Sequence, residues 1–139
     1  TEDALKNVLS TINNIRSNAE ELITIVGCGG DRDKAKRPLM AKVACNLSNQ
    51  VIITSDNPRS EKPEEIIEDM LADLDPIQKK KVLVITDRKQ AIMTAGRLAK
   101  KDDIILLAGK GHEKYQEING EKFPFDDMEE LKQSLKINN

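Results

Sequence analysis

Val51-Ile52-Ile53-Thr54-Ser55-Asp56-Asn57-Pro58-Arg59 is an apolar, β-branched run that stops in a turn. Branched side chains suit a buried strand. Pro58 fixes its own φ and pushes Asn57 out of the helical region, so the strand must break there. Arg59 is then held on a short, stiff loop at the carboxyl end of a strand. In open α/β sheets that is where ligands bind. A guanidinium so placed can hold a carboxylate or phosphate through two parallel hydrogen bonds. The plainer alternative is a surface turn with a solvated arginine.

The same grammar repeats on both sides of this stretch. Upstream, Leu22-Ile23-Thr24-Ile25-Val26 reads as a strand that Gly27-Cys28-Gly29-Gly30 breaks. Downstream, Lys81 to Ile85 and Asp103 to Ala108 read as strands, the last running into Gly109-Lys110-Gly111-His112-Glu113. Helical spacing of apolar residues fills the gaps. Ala4, Leu5, Val8, Leu9, Ile12 and Ile15 mark one helix over residues 3–16. Pro38 opens a second, with Leu39, Met40, Val43, Ala44 and Leu47 inward. Pro63 opens a third, facing inward with Ile66, Ile67, Met70, Leu71 and Leu74 until Asp75-Pro76 ends it.

Asp87 with Gln90 has the spacing of a capping box, for a helix with Ala91, Ile92, Ala95, Leu98 and Ala99 inward. Asp126 with Glu129 has it again, for a last helix carrying Met128, Leu131 and Leu135. Between them, Asn119-Gly120 is a strong hairpin signal, flanked by Tyr115 to Ile118 and Glu121 to Phe123. The expectation is an α/β fold of five strand–helix units over residues 1–139. A mostly parallel, Rossmann-like sheet carries helices on both faces, with a short antiparallel hairpin toward the carboxyl terminus.

Composition narrows the function. The 139 residues carry a net charge of −2, which gives no field for nucleic acid or an anionic membrane. Tyr115, Phe123 and Phe125 are the only aromatics, too few for a base-stacking platform. No apolar run approaches the ~20 residues of a membrane span. The first residues lack a signal-peptide pattern, so a cytoplasmic setting is expected. Cys28 and Cys45 lack metal-ligand spacing; Cys45 reads as core, and Cys28 lies among glycines where it can be exposed. A single histidine, His112, rules out a multi-histidine metal site.

The chemistry-bearing residues fall in three loops, each after a strand. If the strands are parallel, the loops share one edge. They bring Arg32, Lys34, Lys36 and Arg37, then Asp56, Asn57, Pro58 and Arg59, then Gly109, Lys110, Gly111, His112 and Glu113. Cations, an amide, a carboxylate and glycine backbone together suit a zwitterion: Arg32 and Arg59 for carboxylates, Glu113 and a glycine carbonyl for an ammonium. Gly27-Cys28-Gly29 begins a dinucleotide fingerprint, but Arg32 stands where its third glycine belongs. No GxxxxGK[ST] loop is present either. Tight turns and a solvated helix start remain the structural alternatives for the glycines and the basic run.

Three ordered motifs carry a resemblance across nearly the whole chain. They are Gly27-Cys28-Gly29-Gly30-Asp31-Arg32-Asp33-Lys34-Ala35-Lys36-Arg37-Pro38-Leu39-Met40, Asp56-Asn57-Pro58-Arg59 and Gly109-Lys110-Gly111-His112-Glu113. Together they resemble the carboxy-terminal domain of the Mur ligases, and most of all the branch that adds diaminopimelate to UDP-N-acetylmuramoyl-L-alanyl-D-glutamate. The start, Thr1-Glu2-Asp3-Ala4-Leu5, is similar to the end of the family's Tyr-Ala-His-Thr-Pro-Asp-Ala-Leu segment.

The resemblance implies an ATP-dependent amide ligase of peptidoglycan precursor synthesis. There the D-glutamate carboxylate becomes an acyl phosphate, and the amine of the incoming amino acid attacks it. The family's central domain supplies the P-loop and magnesium ligands, so this chain alone is expected to be inactive, with no catalytic residue and no metal ligand of its own. Its partners are then meso-diaminopimelate and, through the full-length enzyme, the UDP-MurNAc-dipeptide. By position, Arg32, Asn57, Arg59, Gly109 and Glu113 match the residues that hold meso-diaminopimelate, with Asp56 and Pro58 completing the motif that marks its users. Ala35 replaces a common glycine and Glu2 a common proline. Folylpolyglutamate synthase shares the implied architecture without the Asp-Asn-Pro-Arg motif. A reading from another class is a stand-alone, non-catalytic module that binds a small zwitterion or anion.

Overall fold

The computed structural model describes residues 1–109 and 113–138. Four parallel strands form the main sheet: β1 (Leu22–Val26), β2 (Gln50–Ile53), β3 (Val82–Val84) and β4 (Ile104–Ala108), in the order β3-β2-β1-β4. Register fixes which side chains share a face. Ile25 of β1 lies beside Ile52 of β2 and Leu107 of β4. Because side chains alternate, Leu22, Thr24 and Val26 look one way and Ile23 and Ile25 the other. All five are buried, as expected of a parallel strand covered on both sides.

Each face has its own core. On one, α1 (Glu2–Ile15), α2 (Lys36–Leu47) and α3 (Pro63–Leu71) place Leu5, Leu9, Ala41, Ala44, Cys45, Ile67 and Met70 against Leu22, Val26, Val51 and Ile53. On the other, α5 (Arg88–Leu98) sets Ala91, Ile92 and Ala95 on Ile23, Ile25 and Ile52. The last helix, α6 (Asp127–Asn138), packs on α5, with Leu131 on the same cluster. Ser134 sits so close over Gly96 that a β-carbon there would lie 2.3 Å from its Oγ.

A separate two-stranded sheet, β5 (Tyr115–Ile118) with β6 (Glu121–Pro124), is the hairpin that Asn119-Gly120 announces. Asn119 at φ +50° and Gly120 at φ +80° make the left-handed pair that a two-residue turn needs.

Several expectations are corrected. The main sheet has four strands, so five strand–helix units are one too many. α2 begins at Lys36, two residues before Pro38, and Leu39 faces solvent while Arg37, Ala41, Ala44 and Cys45 face inward. A short helix, α4 (Pro76–Lys79), follows where Asp75-Pro76 reads as a stop. Its start is the full capping box: Asp75 accepts from Gln78 N–H and Gln78 accepts from Asp75 N–H. Asp87 instead accepts from Lys89 N–H. Asp126 accepts from the N–H groups of Met128 and Glu129, while the Glu129 carboxylate accepts from Gln133. Leu98 and Met128 point outward, and Gly96 and Ser134 take the inward places.

Candidate functional site

The strand order reverses between β1 and β4, the place where open parallel sheets bind ligands. The carboxyl ends of β1, β2 and β4 deliver three loops there. They enclose a cleft of about 510 Å³ lined by Arg32, Asp56, Asn57, Arg59, Gly109 and Glu113, with Cys28, Lys36, Arg37 and Met40 also on its wall. Six of the seven anticipated site residues therefore converge. Pro58 is the exception: it is buried behind the wall. Lys110, Gly111 and His112, also singled out above, lie outside the described residues.

The loops approach so closely that glycine is required. A β-carbon on Gly30 would lie 1.9 Å from the Pro58 carbonyl oxygen, and one on Gly27 would lie 2.6 Å from that of Thr54. Gly30 N–H donates to Asn57 O at 2.8 Å, which stitches the first loop to the second. The contact explains Pro58's role: its backbone, not its ring, meets the glycine loop.

Arg59 has φ +53°, a left-handed conformation that costs a non-glycine residue about 1 kcal/mol or more. The hairpin holds it there. Arg59 N–H donates to Glu117 O at 3.0 Å, and Asn119 N–H donates to Arg59 O at 2.8 Å. The loop thereby pairs with Ile118 as an isolated parallel bridge. Gln116 Nε2 donates to Ser55 Oγ at 2.9 Å and to Asp56 O at 2.7 Å. Glu117 N–H donates to Asn57 Oδ1 at 2.9 Å.

The guanidinium of Arg59 is fixed as well. Its Nη1 donates to Gly30 O at 2.9 Å and more weakly to Asn57 O at 3.4 Å. Its Nε lies 3.3 Å from Glu117 Oε1. Among the described residues, Nη2 donates to nothing. Asn57 Nδ2 donates to Glu113 Oε1 at 3.2 Å, and Tyr115 O–H donates to Glu113 Oε2 at 3.3 Å. Arg32 is exposed at the mouth, with Nη1 on Asp31 O at 3.0 Å.

The other basic residues of the cleft are already engaged. Lys36 Nζ lies 2.9 Å from Glu2 Oε1. Arg37 is buried, its two terminal nitrogens holding Glu61 (2.7 and 3.1 Å), Asp69 (2.9 Å) and Gly29 O (3.1 Å). Arg37 holds the Glu61 carboxyl well below the usual range, at about 2, with help from Asp31 N–H. Burial pushes the Cys28 thiol up to about 12, so it offers no thiolate near neutrality. Cys45 is buried in the core, as expected.

Two buried groups escape sequence reading. Arg37 looks like one more solvated cation in a basic run, yet it anchors α2 to the Glu61 loop and α3. Arg88 is also buried; its Nε and Nη2 grip both oxygens of Asp127 at 2.8 and 2.6 Å, and Nη1 donates to Ser55 O at 3.1 Å. This pair ties the starts of α5 and α6 to the loop after β2. Nothing in the spacing of residues 88 and 127 announces it.

Comparisons with known proteins agree with this fold. A family model described as "Mur ligase, glutamate ligase domain" matches residues 1–111. UDP-N-acetylmuramoyl-L-alanyl-D-glutamate--2,6-diaminopimelate ligase of Bacteroides fragilis is 59% identical over 137 residues, 99% of this chain and 28% of that protein. The protein of the same name from Oceanobacillus iheyensis is 48% identical over 136 residues, 98% of this chain and 27% of that protein. A solved structure of a ligase of that name superposes with a TM-score of 0.91 at 46% identity, over 99% of this chain and 28% of that one. A domain from a putative Haemophilus ducreyi ligase superposes at 0.60 with 13% identity, covering 100% of this chain and 85% of that one, which is a likeness of fold. The chain spans little more than a quarter of the length of the full-length relatives it matches.

Proposed function

This chain belongs to the Mur ligase family, in its glutamate ligase domain, and from that premise we propose that residues 1–139 form the amino-acid-delivering domain of a diaminopimelate-adding ligase. The observation that carries the reading is the state of Arg59. Its Nη1 is hydrogen-bonded, its Nε lies against the Glu117 carboxylate, its backbone is clamped, and among the described residues Nη2 has no acceptor. A guanidinium held with one edge open is prepared for a carboxylate. Meso-diaminopimelate brings one carboxylate more than lysine, and Arg59 is its partner in this reading. Arg32 takes another carboxylate at the mouth of the cleft. Glu113, oriented by Asn57 and Tyr115, takes an ammonium, and Gly109, free of a β-carbon at φ +121°, brings the backbone close. Asp56 lines the same wall.

The domain binds and orients; it does not activate. Such a ligase uses ATP and magnesium, and neither group finds a ready site among the described residues. No cluster of three or more metal-ligating side chains gathers among the described residues, and the glycine loops lack the P-loop pattern. We therefore assign both groups, together with the UDP-MurNAc-dipeptide, mainly to the rest of a longer enzyme. No helix among the described residues is long and apolar enough to cross a membrane.

The test is kcat/KM for meso-diaminopimelate and for L-lysine, in the full-length ligase and its Arg59→Ala variant. Leaving a carboxylate buried without its partner costs on the order of 2–5 kcal/mol. The preference for diaminopimelate should collapse in the variant, with lysine little changed. An unchanged ratio overturns the assignment. Phosphate release by residues 1–139 alone, dependent on both substrates, overturns the division of labour.

A further inference from the structure

Among the described residues, Glu117 is the one carboxylate that touches the guanidinium on which the proposed function rests, and nothing in that reading uses it. It sits on β5, with its side chain 27% exposed beside an Arg59 side chain 18% exposed. Its Oε1 occupies the Nε edge of Arg59, while Gly30 O occupies Nη1. These two contacts, at two corners of a planar group, fix the direction of the third corner, Nη2. We propose that Glu117 is a positioning residue that aims the Nη2 edge of Arg59 at the substrate's extra carboxylate, and so sets amino-acid selectivity from outside the cleft.

The side chain's role is separable from that of the hairpin. The hairpin is seated by Arg59 N–H on Glu117 O, Asn119 N–H on Arg59 O, and Glu117 N–H on Asn57 Oδ1. On the hairpin's side all three use the backbone of Glu117 or Asn119, so truncating the Glu117 side chain leaves them in place. A single, partly exposed ion pair at 3.3 Å without a hydrogen bond adds little to stability. Glu117→Ala should therefore fold and melt close to the parent.

Charge and orientation act in opposite senses, which makes the idea testable. A second anion near the site opposes binding of a carboxylate. An oxygen set beside Nε, 3.3 Å away, keeps the guanidinium turned correctly. Glu117→Gln removes the charge and keeps an oxygen beside Nε; Glu117→Ala removes both.

The inference rests on the proposed function, so the experiment carries Arg59→Ala as its reference, in the full-length ligase with meso-diaminopimelate and L-lysine. In Glu117→Ala, a misaimed guanidinium should raise KM for diaminopimelate roughly tenfold, with the loss read in KM rather than kcat, and the diaminopimelate-to-lysine preference should fall by the same factor. Glu117→Gln should keep the parent's KM or lower it. Glu117→Lys, which repels the guanidinium, should lose at least as much preference as Glu117→Ala and serves if the alanine variant does not fold. If KM falls in both Ala and Gln variants, Glu117 acts by charge alone and the inference is wrong. If Arg59→Ala destroys the preference but Glu117→Ala and Glu117→Lys retain it, the inference fails and the proposed function stands. If Arg59→Ala itself retains the preference, both fail.

Discussion

Gly30 has no room for a side chain, because the Pro58 carbonyl occupies the place of a β-carbon. Gly30→Ala must push the first loop off the second and break the Gly30 N–H to Asn57 O bond. We expect it to lower stability by about 2 kcal/mol or more, as strained and overpacked sites do. Urea unfolding of the chain and its variant measures this; a midpoint within error of the parent would show that the loops can part freely. Arg88 makes the complementary case, a residue whose partners are essential to it. Asp127→Ala leaves its guanidinium buried with carbonyls alone, a loss of about 3–5 kcal/mol. Arg88→Met with Asp127→Leu should be less harmful than Asp127→Ala alone, since no buried charge is then orphaned. A double variant weaker than the single would refute that account.

At the scale of elements, what could be read in the sequence depended on side-chain size. β1 and β2 are legible because parallel strands buried on both faces are written as unbroken apolar runs, and β4, half-buried at the sheet's edge, is written the same way. The Asn119-Gly120 hairpin is legible because so few residues accept left-handed φ. Helix faces are less so. α2 buries Arg37, Ala41, Ala44 and Cys45 and exposes Leu39. α5 buries Ala91, Ala95 and Gly96 and exposes Leu98. Where helices approach a sheet or another helix closely, small residues make the contact, and hydrophobic spacing then selects the wrong neighbour. The three loops of the cleft were foreseeable, since topology alone gathers them. Arg37 and Glu61 were not, because their pairing depends on how α3 folds back.

That pairing has a pH signature. The Glu61 carboxyl has its ordinary value of 4.5 in the unfolded chain and about 2 beside Arg37. A lowered carboxyl stabilises the folded chain above pH 4.5, and the contribution fades as pH falls toward 2. Glu61→Gln should be less stable than the parent at pH 6, and the gap should close on acidification through that window. Unfolding midpoints at a series of pH values test it; a constant gap would deny that Glu61 titrates with folding.

Over the whole molecule, stability should be graded from the sheet's middle outward. β1 and β2 lie between neighbours on both edges and between helices on both faces. Among the described residues β5 and β6 pair as strands only with each other and with Arg59, and β6 is exposed along its length. Amide hydrogen exchange should therefore be slowest at Ile23–Val26 and Val51–Ile53, limited by global unfolding. Hairpin amides should exchange through local opening, faster and without parallel dependence on denaturant. Equal protection in both would mean that the hairpin belongs to the same cooperative unit.

The bridge between Arg59 and Ile118 also orders events in time. During synthesis the loop carrying Arg59 emerges well before the hairpin that clamps it. At about 5–20 residues per second, the intervening chain takes several seconds to make. For that interval β1 and β2 can already pair, while Arg59 has no partner to hold its left-handed backbone. The cleft is thus finished from its far end. A pause or truncation in the codons for residues 113–119 would leave a sheet that is nearly whole and a recognition loop that has not yet set.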